Sequence, residues 1–175
     1  MYFDNFPTII YDSEKENIFK DVKNLLRRVG IRAKVKSNAL LYDTYDVKNG
    51  ETPESLAFKL YGDAELHWVI MLLNDITDRY HDWPMTEGQF SQFVQDEYYN
   101  VDGTHHYEIS QSSGDTSIKI DVGTSNTNYP SATLITNYEY EQSQQDSKRK
   151  IRLLDPSFVA DFVEEFKSLM NESII

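Results

Sequence analysis

The amino-acid sequence predicts an α+β fold in which a β-α-α core is embedded in additional helices and a β-hairpin region, with an extended N-terminal arm and a C-terminal amphipathic helix. Hydrophobic residues make up 39% and aromatic residues 13% of the 175 positions, which is enough for a buried core. Segments with apolar residues at helical spacing are separated by short runs that alternate as strands do. Turn-forming residues are concentrated between residues 100 and 130, as in hairpins.

The first 44 residues divide into an arm and a helix with its lead-in. Residues 1–12 alternate aromatic, polar and proline residues without a helical period, which predicts an extended N-terminal arm. Residues 13–44 are predicted to contain a basic helix and the lead-in to the next strand, because apolar side chains recur at helical spacing before Gly30. Those side chains are Ile18, Phe19, Val22, Leu25, Leu26 and Val29.

Residues 45–82 are predicted to form a module of one strand and two helices. The strand-like run ends in a glycine-containing turn, and the first helix begins with Thr52 as N-cap and Pro53 in its first turn. Asp63 is placed to cap the second helix, which is apolar almost all round. A helix of that kind is normally buried on more than one side, so flanking segments or a partner have to cover it.

Two further regions follow the module. Residues 83–99 are predicted to form a helix, because Thr86 and Gln89 have the spacing of a capping box ahead of an apolar stripe. Residues 100–130 are predicted to form a polar hairpin or excursion with two short alternating strands. The sequence therefore places a small sheet after this helix.

Residues 131–175 are predicted to contain strands and a C-terminal helix. The runs ATLITNYEYE and KRKIRLL have strand character, although EQSQQDSKRK between them is also compatible with a helix. Asp155 and Pro156 are typical of a helix start, and the residues after them repeat apolar side chains at helical spacing. The C-terminal helix is therefore expected to pack along one face.

The formal net charge is −12, but charge is unevenly distributed along the chain. Lys15–Lys36, here called the basic segment, contains eight basic and two acidic residues and carries +6, so the rest of the chain carries −18. The overall charge opposes general binding to nucleic acid or to an anionic membrane. The basic segment is either a solvated helix face or a docking surface for an acidic partner or another acidic region of this chain.

Several classes of function lack the residues they need. The absence of cysteine excludes disulfides, thiolate catalysis and cysteine zinc sites. The sequence has no phosphate-binding glycine loop, no nucleophile elbow and no His-Glu-x-x-His helix. No apolar run approaches the ~18 residues of a membrane helix, and the first residues lack the pattern of an export signal. We therefore predict a soluble, non-enzymatic protein without cofactor or metal, made in a cytoplasm.

The four histidines lack the spacing of metal ligands. His105 and His106 are adjacent, so on a strand their side chains are expected to point to opposite faces. His67 lies in the apolar second helix and is expected to pack there with one hydrogen bond. His81 lies in an aromatic loop and is expected to fix the shape of that loop.

The stretch YDVKNGETPESLAFKLYGDAELHWVIMLLN, residues 45–74, combines a strand, a glycine turn with threonine and two short helices closed by asparagine. It resembles a LysM module. The resemblance implies a groove formed by the turn and by the loop after the second helix, as in sugar-binding members. Those members usually continue with a Pro-Gly-Gln turn into a second strand, whereas this chain enters another helix. The groove positions are Gly50, Glu51, Thr52, Asn74, Asp75 and Ile76.

Motifs in a fixed order extend over nearly the whole chain: NFPTIIYD, IFKDVKNLL, ETPESLAFKLYGDAELHWVIMLLND, YHDWPMTEGQF and KRKIRLLDPSFVADFVEEF. In this order they resemble the LysM-containing baseplate wedge proteins of T-even-like, contractile-tailed bacteriophages. The resemblance implies a structural protein of the virion tail baseplate, assembled in the host cytoplasm. It implies contacts with other wedge and tail proteins that help join wedges into a sixfold ring, and it implies no reaction and no cofactor.

This interpretation predicts partner contacts at exposed aromatic, aliphatic and arginine side chains. The alternative is a peptidoglycan-binding LysM module that attaches the tail to the cell wall, and the missing Pro-Gly-Gln turn argues against it. A third interpretation, an autolysin-like enzyme, lacks a catalytic constellation. The candidate contacts are Phe3, Phe6 and Ile9 in the arm, Arg27, Arg28 and Arg32 in the basic segment, and Trp68 and Trp83 near the module.

Overall fold

A computed structural model describes residues 2–12, 14–26, 29–31 and 41–172. The architecture is mixed α+β, as predicted, and the chain divides into two compact units. The first unit comprises Met1–Asp46, Glu51–Asp82 and Ile151–Ile175, and the second comprises Val47–Gly50 and Trp83–Lys150. In sequence, the second unit is therefore inserted into the first. None of the helices formed by the described residues has the length and apolar character needed to cross a membrane.

The described residues contain seven strands and six α-helices. The strands are β1 (Thr8–Tyr11), β2 (Lys20–Lys23), β3 (Tyr42–Asp46), β4 (Thr104–Ser110), β5 (Lys119–Asp121), β6 (Thr133–Thr136) and β7 (Lys150–Leu154). The helices are α1 (Pro53–Tyr61), α2 (His67–Leu73), α3 (Arg79–Asp82), α4 (Glu87–Glu97), α5 (Asn137–Arg149) and α6 (Val159–Glu172). Three small sheets result, with strand orders β1-β2, β3-β7 and β5-β4-β6.

The N-terminal residues form a short 3₁₀ helix, Tyr2–Asn5, followed by the antiparallel hairpin of β1 and β2. Ile9 lies opposite Val22 in this hairpin. Every residue of the two strands is exposed. Residues 1–12 are therefore not one extended arm, because Phe6, between the 3₁₀ helix and β1, is 6% exposed and belongs to the core.

The helix predicted from Ile18 onward is wrong where the structure describes these residues. β2 occupies part of this segment, and its backbone pairs with β1. The Asp12 carboxylate accepts the backbone N–H of Asn17 at 2.8 Å, and both Lys15 and Asn17 adopt positive φ angles of 58° and 60°. Strand pairing across this turn therefore overrides the helical spacing of the apolar residues.

The centre of the first unit is a β-α-α arrangement closed by a strand from far along the chain. β3 pairs with β7. Asp155 N donates to Leu41 O at 3.1 Å at one end of the pair, and Val47 N donates to Arg149 O at 3.0 Å at the other. Because the partners run in opposite directions along the chain, the two strands are antiparallel.

The two helices of this arrangement begin at the predicted signals. Thr52 accepts the N–H of Ser55 at 3.2 Å and caps α1, which ends at Gly62 with φ 75°. Asp63 accepts the N–H of Glu65 at 2.8 Å and caps the 3₁₀ turn that leads into α2. The predicted caps at Thr52 and Asp63 are therefore confirmed.

The core of the first unit surrounds α2. Val69 is fully buried there, and the ring of Trp68 lies 4.6 Å from that of Phe166 in α6 and 5.4 Å from that of Tyr2, measured between centroids. Flanking segments of the same chain therefore cover the apolar second helix. The cluster of buried residues is Phe6, Trp68, Val69, Leu73, Leu154, Val159, Phe166 and Met170.

The second unit combines α4 and α5 with the sheet β5-β4-β6. The capping box predicted at Thr86 and Gln89 is confirmed at the start of α4. A second capping box, Thr136 with Glu139, begins α5. The strand predicted for the residues after Thr136 is therefore wrong, because this cap directs them into a helix. The alternative prediction, a helix over EQSQQDSKRK, is confirmed up to Arg149.

Candidate functional site

The turn before α1 contains the first three groove positions. Gly50 has φ 80°, a left-handed conformation that favours glycine. The Glu51 carboxylate accepts a hydrogen bond from Tyr45 Oη at 2.9 Å and lies 3.2 Å from Lys59 Nζ. The hydrogen bonds to Tyr45 and to Glu51 raise the pKa of the Lys59 ammonium. The polar groups of Glu51, and of the N-cap Thr52, are therefore engaged within the chain.

The loop after α2 contains the other three positions, and Asn74 fastens it to β7. Asn74 Nδ2 donates to Ile70 O and to Arg152 O, each at 2.8 Å. Arg152 N donates to Asn74 Oδ1 at 2.8 Å. The Asn74 amide therefore both donates to and accepts from the backbone of Arg152. It pairs with β7 in the same way as a neighbouring strand would. Asn74 therefore covers the edge of β7 at a residue 78 positions away in sequence.

Beyond Asn74 the loop is fixed by its own hydrogen bonds. Asp75 has a positive φ of 56°, and the N–H of Ile76 returns to Met71 O at 2.9 Å. The Asp82 carboxylate accepts the backbone N–H of Asp78 at 2.9 Å, and this bond is the main reason that the pKa of Asp82 is lowered. The conformation of the loop is therefore held by hydrogen bonds within the chain.

The groove positions that offer polar side-chain atoms already have partners in the chain. The side-chain oxygen of Thr52 accepts from α1, and both atoms of the Asn74 amide are bound to backbone. A glycan would have to replace these bonds to use the same atoms, which costs the hydrogen bonds that hold α1 and β7 in place. These side chains therefore join segments of the same chain to one another.

The eight predicted partner contacts differ in where the structure places them. Phe3 and Ile9 are exposed, at 57% and 39%. Phe6, Trp68 and Trp83 are buried within the chain, so their assumed exposure was wrong. Large aromatic rings remove more apolar surface from water than other side chains do, and small units use them as core. Arg27, Arg28 and Arg32 lie outside the described residues.

Other apolar side chains of the N-terminal hairpin are more exposed than the predicted ones. Ile10 is 72% exposed, Phe19 64% and Leu26 92%. The helical interpretation of residues 18–29 assigned Phe19 and Leu26 to a packed face, which is why they were missed. The β-branched run Thr8–Tyr11, followed by an aspartate that can organise a turn, is the signal that predicts a hairpin here.

The adjacent histidines of β4 lie on the same side of the sheet, contrary to expectation. His105 Nδ1 is 2.7 Å from His106 Nδ1, and His106 Nε2 is 3.0 Å from Glu108 Oε1. A register irregularity between Thr104 and His106 breaks the alternation of side chains. The ring of His105 also stacks on that of Tyr140 with centroids 3.8 Å apart.

His67 is placed as expected, because it is half-buried in α2 and its Nδ1 lies 3.0 Å from Ala64 O. His81 lies in the short helix α3, where its Nδ1 is 2.7 Å from Asp78 Oδ2, so its assignment to a loop was wrong. In the part of the chain that the structure describes, no group of three His, Cys, Asp or Glu side chains has an arrangement that could hold a metal ion. Both histidines therefore have local structural partners.

Comparison with known proteins gives two matches. A family model described as base plate wedge protein 53 matches residues 2–128 of this chain. The sequence is also 24% identical over 184 residues to "Baseplate wedge protein gp53" of Enterobacteria phage T4, an alignment that covers 97% of this chain and 88% of that protein. The family match includes the N-terminal hairpin, the β-α-α arrangement and part of the second unit.

Proposed function

The chain belongs to the base plate wedge protein 53 family and is a structural protein of a phage tail baseplate wedge, and from that premise we propose that it uses a LysM-like fold for protein–protein contacts. These contacts help join wedges into the baseplate. The role requires no catalysis and no cofactor. It needs surfaces that other subunits can bind, and a framework that holds those surfaces in place.

The observation that carries this proposal is the exposed hairpin of β1 and β2. Its strands and the residues beside them present bulky apolar side chains to solvent, including Ile10, Phe19 and Leu26. A sheet of only two strands is marginally stable in water. Exposed apolar patches of this kind mark interaction sites. A partner that covers the hairpin both buries these side chains and stabilises the pairing.

Charge supports a partner with an acidic surface. The basic segment, Lys15–Lys36, carries +6 by sequence and includes β2. Lys23 Nζ donates to Phe6 O at 3.2 Å, so one lysine of the hairpin also ties it to the N-terminal turn. Complementary charge speeds association and selects the partner more than it adds affinity.

The LysM-like fold is supported by the closure of the β-α-α arrangement. A LysM module needs a second strand, and β7 pairs with β3 in this place. Asn74 at the end of α2 hydrogen-bonds to β7. The second unit is inserted before β7, which accounts for the missing Pro-Gly-Gln turn of the sugar-binding modules. The fold then serves as a framework for contacts.

The protein acts in the virion tail, after assembly in the host cytoplasm, beside other wedge and tail proteins in a sixfold ring. A ring of six equivalent wedges repeats every contact. Individually modest interfaces are strengthened by this multiplicity, because each further contact forms within an assembly that is already tethered. Small exposed surfaces on one subunit are sufficient for such a role.

Labelling of purified virions with antibody and electron microscopy tests the location. We expect label only at the baseplate end of the tail. Removal of residues 1–12 is a poor test of the contacts, because Tyr2 and Phe6 pack in the core of the first unit. Single substitutions are cleaner. Phe19→Ser should reduce the yield of complete tails, whereas Tyr80→Ser, at an aromatic residue that is 84% exposed outside the hairpin, should not.

Retention on insoluble peptidoglycan distinguishes the alternative function. Saturable binding of the purified protein to cell-wall material would favour a LysM module that attaches the tail to the cell wall. We expect no such binding, because the polar atoms of Thr52 and Asn74 are used inside the chain. Equal tail yields from the Phe19→Ser and Tyr80→Ser phages would contradict the role of the hairpin.

A further inference from the structure

The sheet β5-β4-β6 has two faces with different surroundings. On one face, His106 is 7% exposed and approaches Glu108 on its own strand and Tyr140 of α5. Lys119 Nζ donates to Ser110 Oγ at 2.8 Å on the same face. Because side chains alternate along a strand, the residues between these positions project from the opposite face.

That opposite face is apolar. Tyr107 lies opposite Leu134 in the pair of β4 and β6, and Ile109 lies opposite Ile120 in the pair of β4 and β5. The N–H of Gln111 donates to Ile118 O at 2.9 Å, which extends the second ladder by one step. We call this set the apolar sheet face: Tyr107, Ile109, Ile118, Ile120 and Leu134.

The apolar sheet face is open to solvent. Ile118 is 48% exposed, Ile120 44% and Leu134 41%, and the other two members are half-buried. A sheet in a small domain normally covers its apolar face with a helix or a second sheet. Here α5 packs on the polar face, where Tyr140 contacts His106. This arrangement leaves aliphatic side chains in water at the centre of an ordered sheet.

The surroundings of the apolar sheet face are almost uncharged. Residues 109–137 contain only three charged side chains, Asp115, Lys119 and Asp121, in a chain whose charged fraction is 26%. Interfaces are depleted of charge at their centre, because an unpaired buried charge is costly to desolvate. The segment 109–137 therefore combines few charges with exposed apolar side chains, and Glu108 of β4 lies on the polar face with His106.

We propose that the apolar sheet face binds an uncharged apolar surface of a different baseplate subunit. This inference rests on the proposed function and adds a second contact surface, separate in sequence and in chemistry from the basic hairpin. The hairpin is suited to an acidic partner surface. The apolar sheet face is suited to a neutral one, so the two surfaces select different partner sites.

Size and charge argue against a second copy of the same chain. The five side chains expose roughly 300–400 Å², within the range of patches that mark interaction sites but well below the about 800 Å² per partner of an ordinary stable complex. Two copies would also bring together chains that each carry −12. A different subunit, held in place by the other contacts of the wedge, avoids both difficulties.

Photo-crosslinking in complete virions tests the proposal. A photoreactive phenylalanine analogue replaces Ile120 or Leu134 in one set of phages, and Lys119 or Asp121 in the control set. The control residues are exposed, lie beside Ile120 in β5 and project from the other face. We expect crosslinks from positions 120 and 134 to a virion protein other than this chain, and few from positions 119 and 121.

Three results would overturn the proposal. Equal crosslinking from both sets, with the chain present in the baseplate, would contradict binding at the apolar sheet face without contradicting the proposed function. Crosslinks mainly between copies of this chain would replace the different subunit with a second copy. Absence of the chain from virions would overturn the proposed function, and this inference with it.

A substitution gives an independent measurement. Ile120→Asp places a charge on the apolar sheet face, whereas Lys119→Asp places one on the opposite face of the same strand. Burying the new carboxylate should weaken docking at least about tenfold, the equivalent of 1.4 kcal/mol. The yield of complete tails and the circular dichroism of each purified chain are compared. Equal tail yields from two folded variants would overturn the proposal.

Discussion

The two units of the chain differ in what they do with large apolar side chains. In the first unit, the rings of Trp68 and Phe166 pack with centroids 4.6 Å apart and an interplanar angle of 44°, and both are buried. In the second unit, the ring of Phe90 lies 5.5 Å from that of Tyr138, which is 40% exposed. The first unit is organised around a continuous cluster, and the second around paired helices and a sheet with an open face.

The first unit also contains the exposed hairpin of β1 and β2, so its buried cluster and its exposed apolar side chains belong to different segments of the same unit. The cluster of buried aromatic and aliphatic side chains around Trp68 removes a large apolar surface from water, and it lies in the first unit. In the second unit, capping boxes at Thr86 and Thr136 begin its two long helices, and Met85 N donates to Gln145 Oε1 at 3.0 Å across 60 residues of sequence. A subunit of an assembly can expose apolar side chains only if other parts keep it folded.

Truncation of the aromatic cluster should have the largest effect. Phe166→Ala leaves a cavity beside Trp68 and is expected to lower the free energy of unfolding of the first unit by about 3–5 kcal/mol. Phe90→Ala is the matched change in the second unit, and we expect a smaller loss because its partner Tyr138 is partly in solvent. Each unit contains one tryptophan, Trp68 or Trp83, so urea unfolding followed by fluorescence monitors both. Equal losses would remove the contrast between the units.

Removal of the Asn74 side chain should have the next largest effect. Asn74→Ala removes the hydrogen bonds from this amide to the N–H and the C=O of Arg152, which is expected to cost about 1–3 kcal/mol. Asn171→Ala is the control, because Asn171 Nδ2 donates to Lys167 O within its own helix. Thermal unfolding of the two variants compares them. A loss from Asn74→Ala no greater than that from Asn171→Ala would mean that the closure of β7 does not depend on this amide.

Loss of a helix cap should have a moderate effect and should depend on pH in the second unit. Thr136→Ala is expected to cost about 1 kcal/mol, as for other N-caps, and Thr52→Ala in the first unit is the matched change. In α5 the backbone N–H and the hydroxyl of Thr136 donate to Glu139, and these bonds lower the pKa of Glu139 below its ordinary 4.5.

The sign of the pH effect follows from that lowered pKa. The folded chain binds the proton of Glu139 less readily than the unfolded chain does, so the stabilisation is present above pH 4.5 and is lost as the pH falls through the folded pKa. Glu139→Gln should therefore reduce the fall in the free energy of unfolding that occurs as the pH is lowered below 4.5. Glu164→Gln, at an exposed position of α6, serves as control. Identical acid limbs in the two variants would contradict the capping role.

The smallest expected effect is a change in the pKa of one tyrosine, Tyr98, without a change in that of another, Tyr61. Burial raises the pKa of Tyr61 to about 12, and burial together with the hydrogen bond to Glu141 raises the pKa of Tyr98 to about 12. Glu141→Gln should lower the pKa of Tyr98 and leave that of Tyr61 unchanged. Titration of phenolate absorbance, with Tyr98→Phe to assign the signal, measures both. A shift at Tyr61 would mean that the two environments are coupled.

The sequence predicted the elements that depend on local chemistry. The caps at Thr52, Asp63 and Thr86 were identified because a short polar side chain stands where the first turn of a helix needs an acceptor. β2 was missed because its apolar residues also fit a helical period, and only pairing with β1 distinguishes the two. The irregularity at His105 was missed because a bulge is set by the register with a neighbouring strand.

The positions of the groove residues could be predicted from the sequence, but the exposure and bonding of the groove and contact residues could not. The resemblance to a LysM module indicated which residues belong to the turn and to the loop. Whether Asn74 is free or bound depends on Arg152, 78 residues later. Exposure depends in the same way on distant segments, because Trp68 is covered by the N-terminal turn and by α6. Contacts of such long range are not visible in a local pattern.

The closure of the first unit by β7 has a consequence for synthesis on the ribosome. Its core includes Leu154 of β7 and Phe166 of α6, which are translated after the entire second unit. The second unit has all its residues by Lys150 and is free to fold first. An unfinished or prematurely terminated chain therefore lacks the core against which Tyr2 and Phe6 of the N-terminal turn pack.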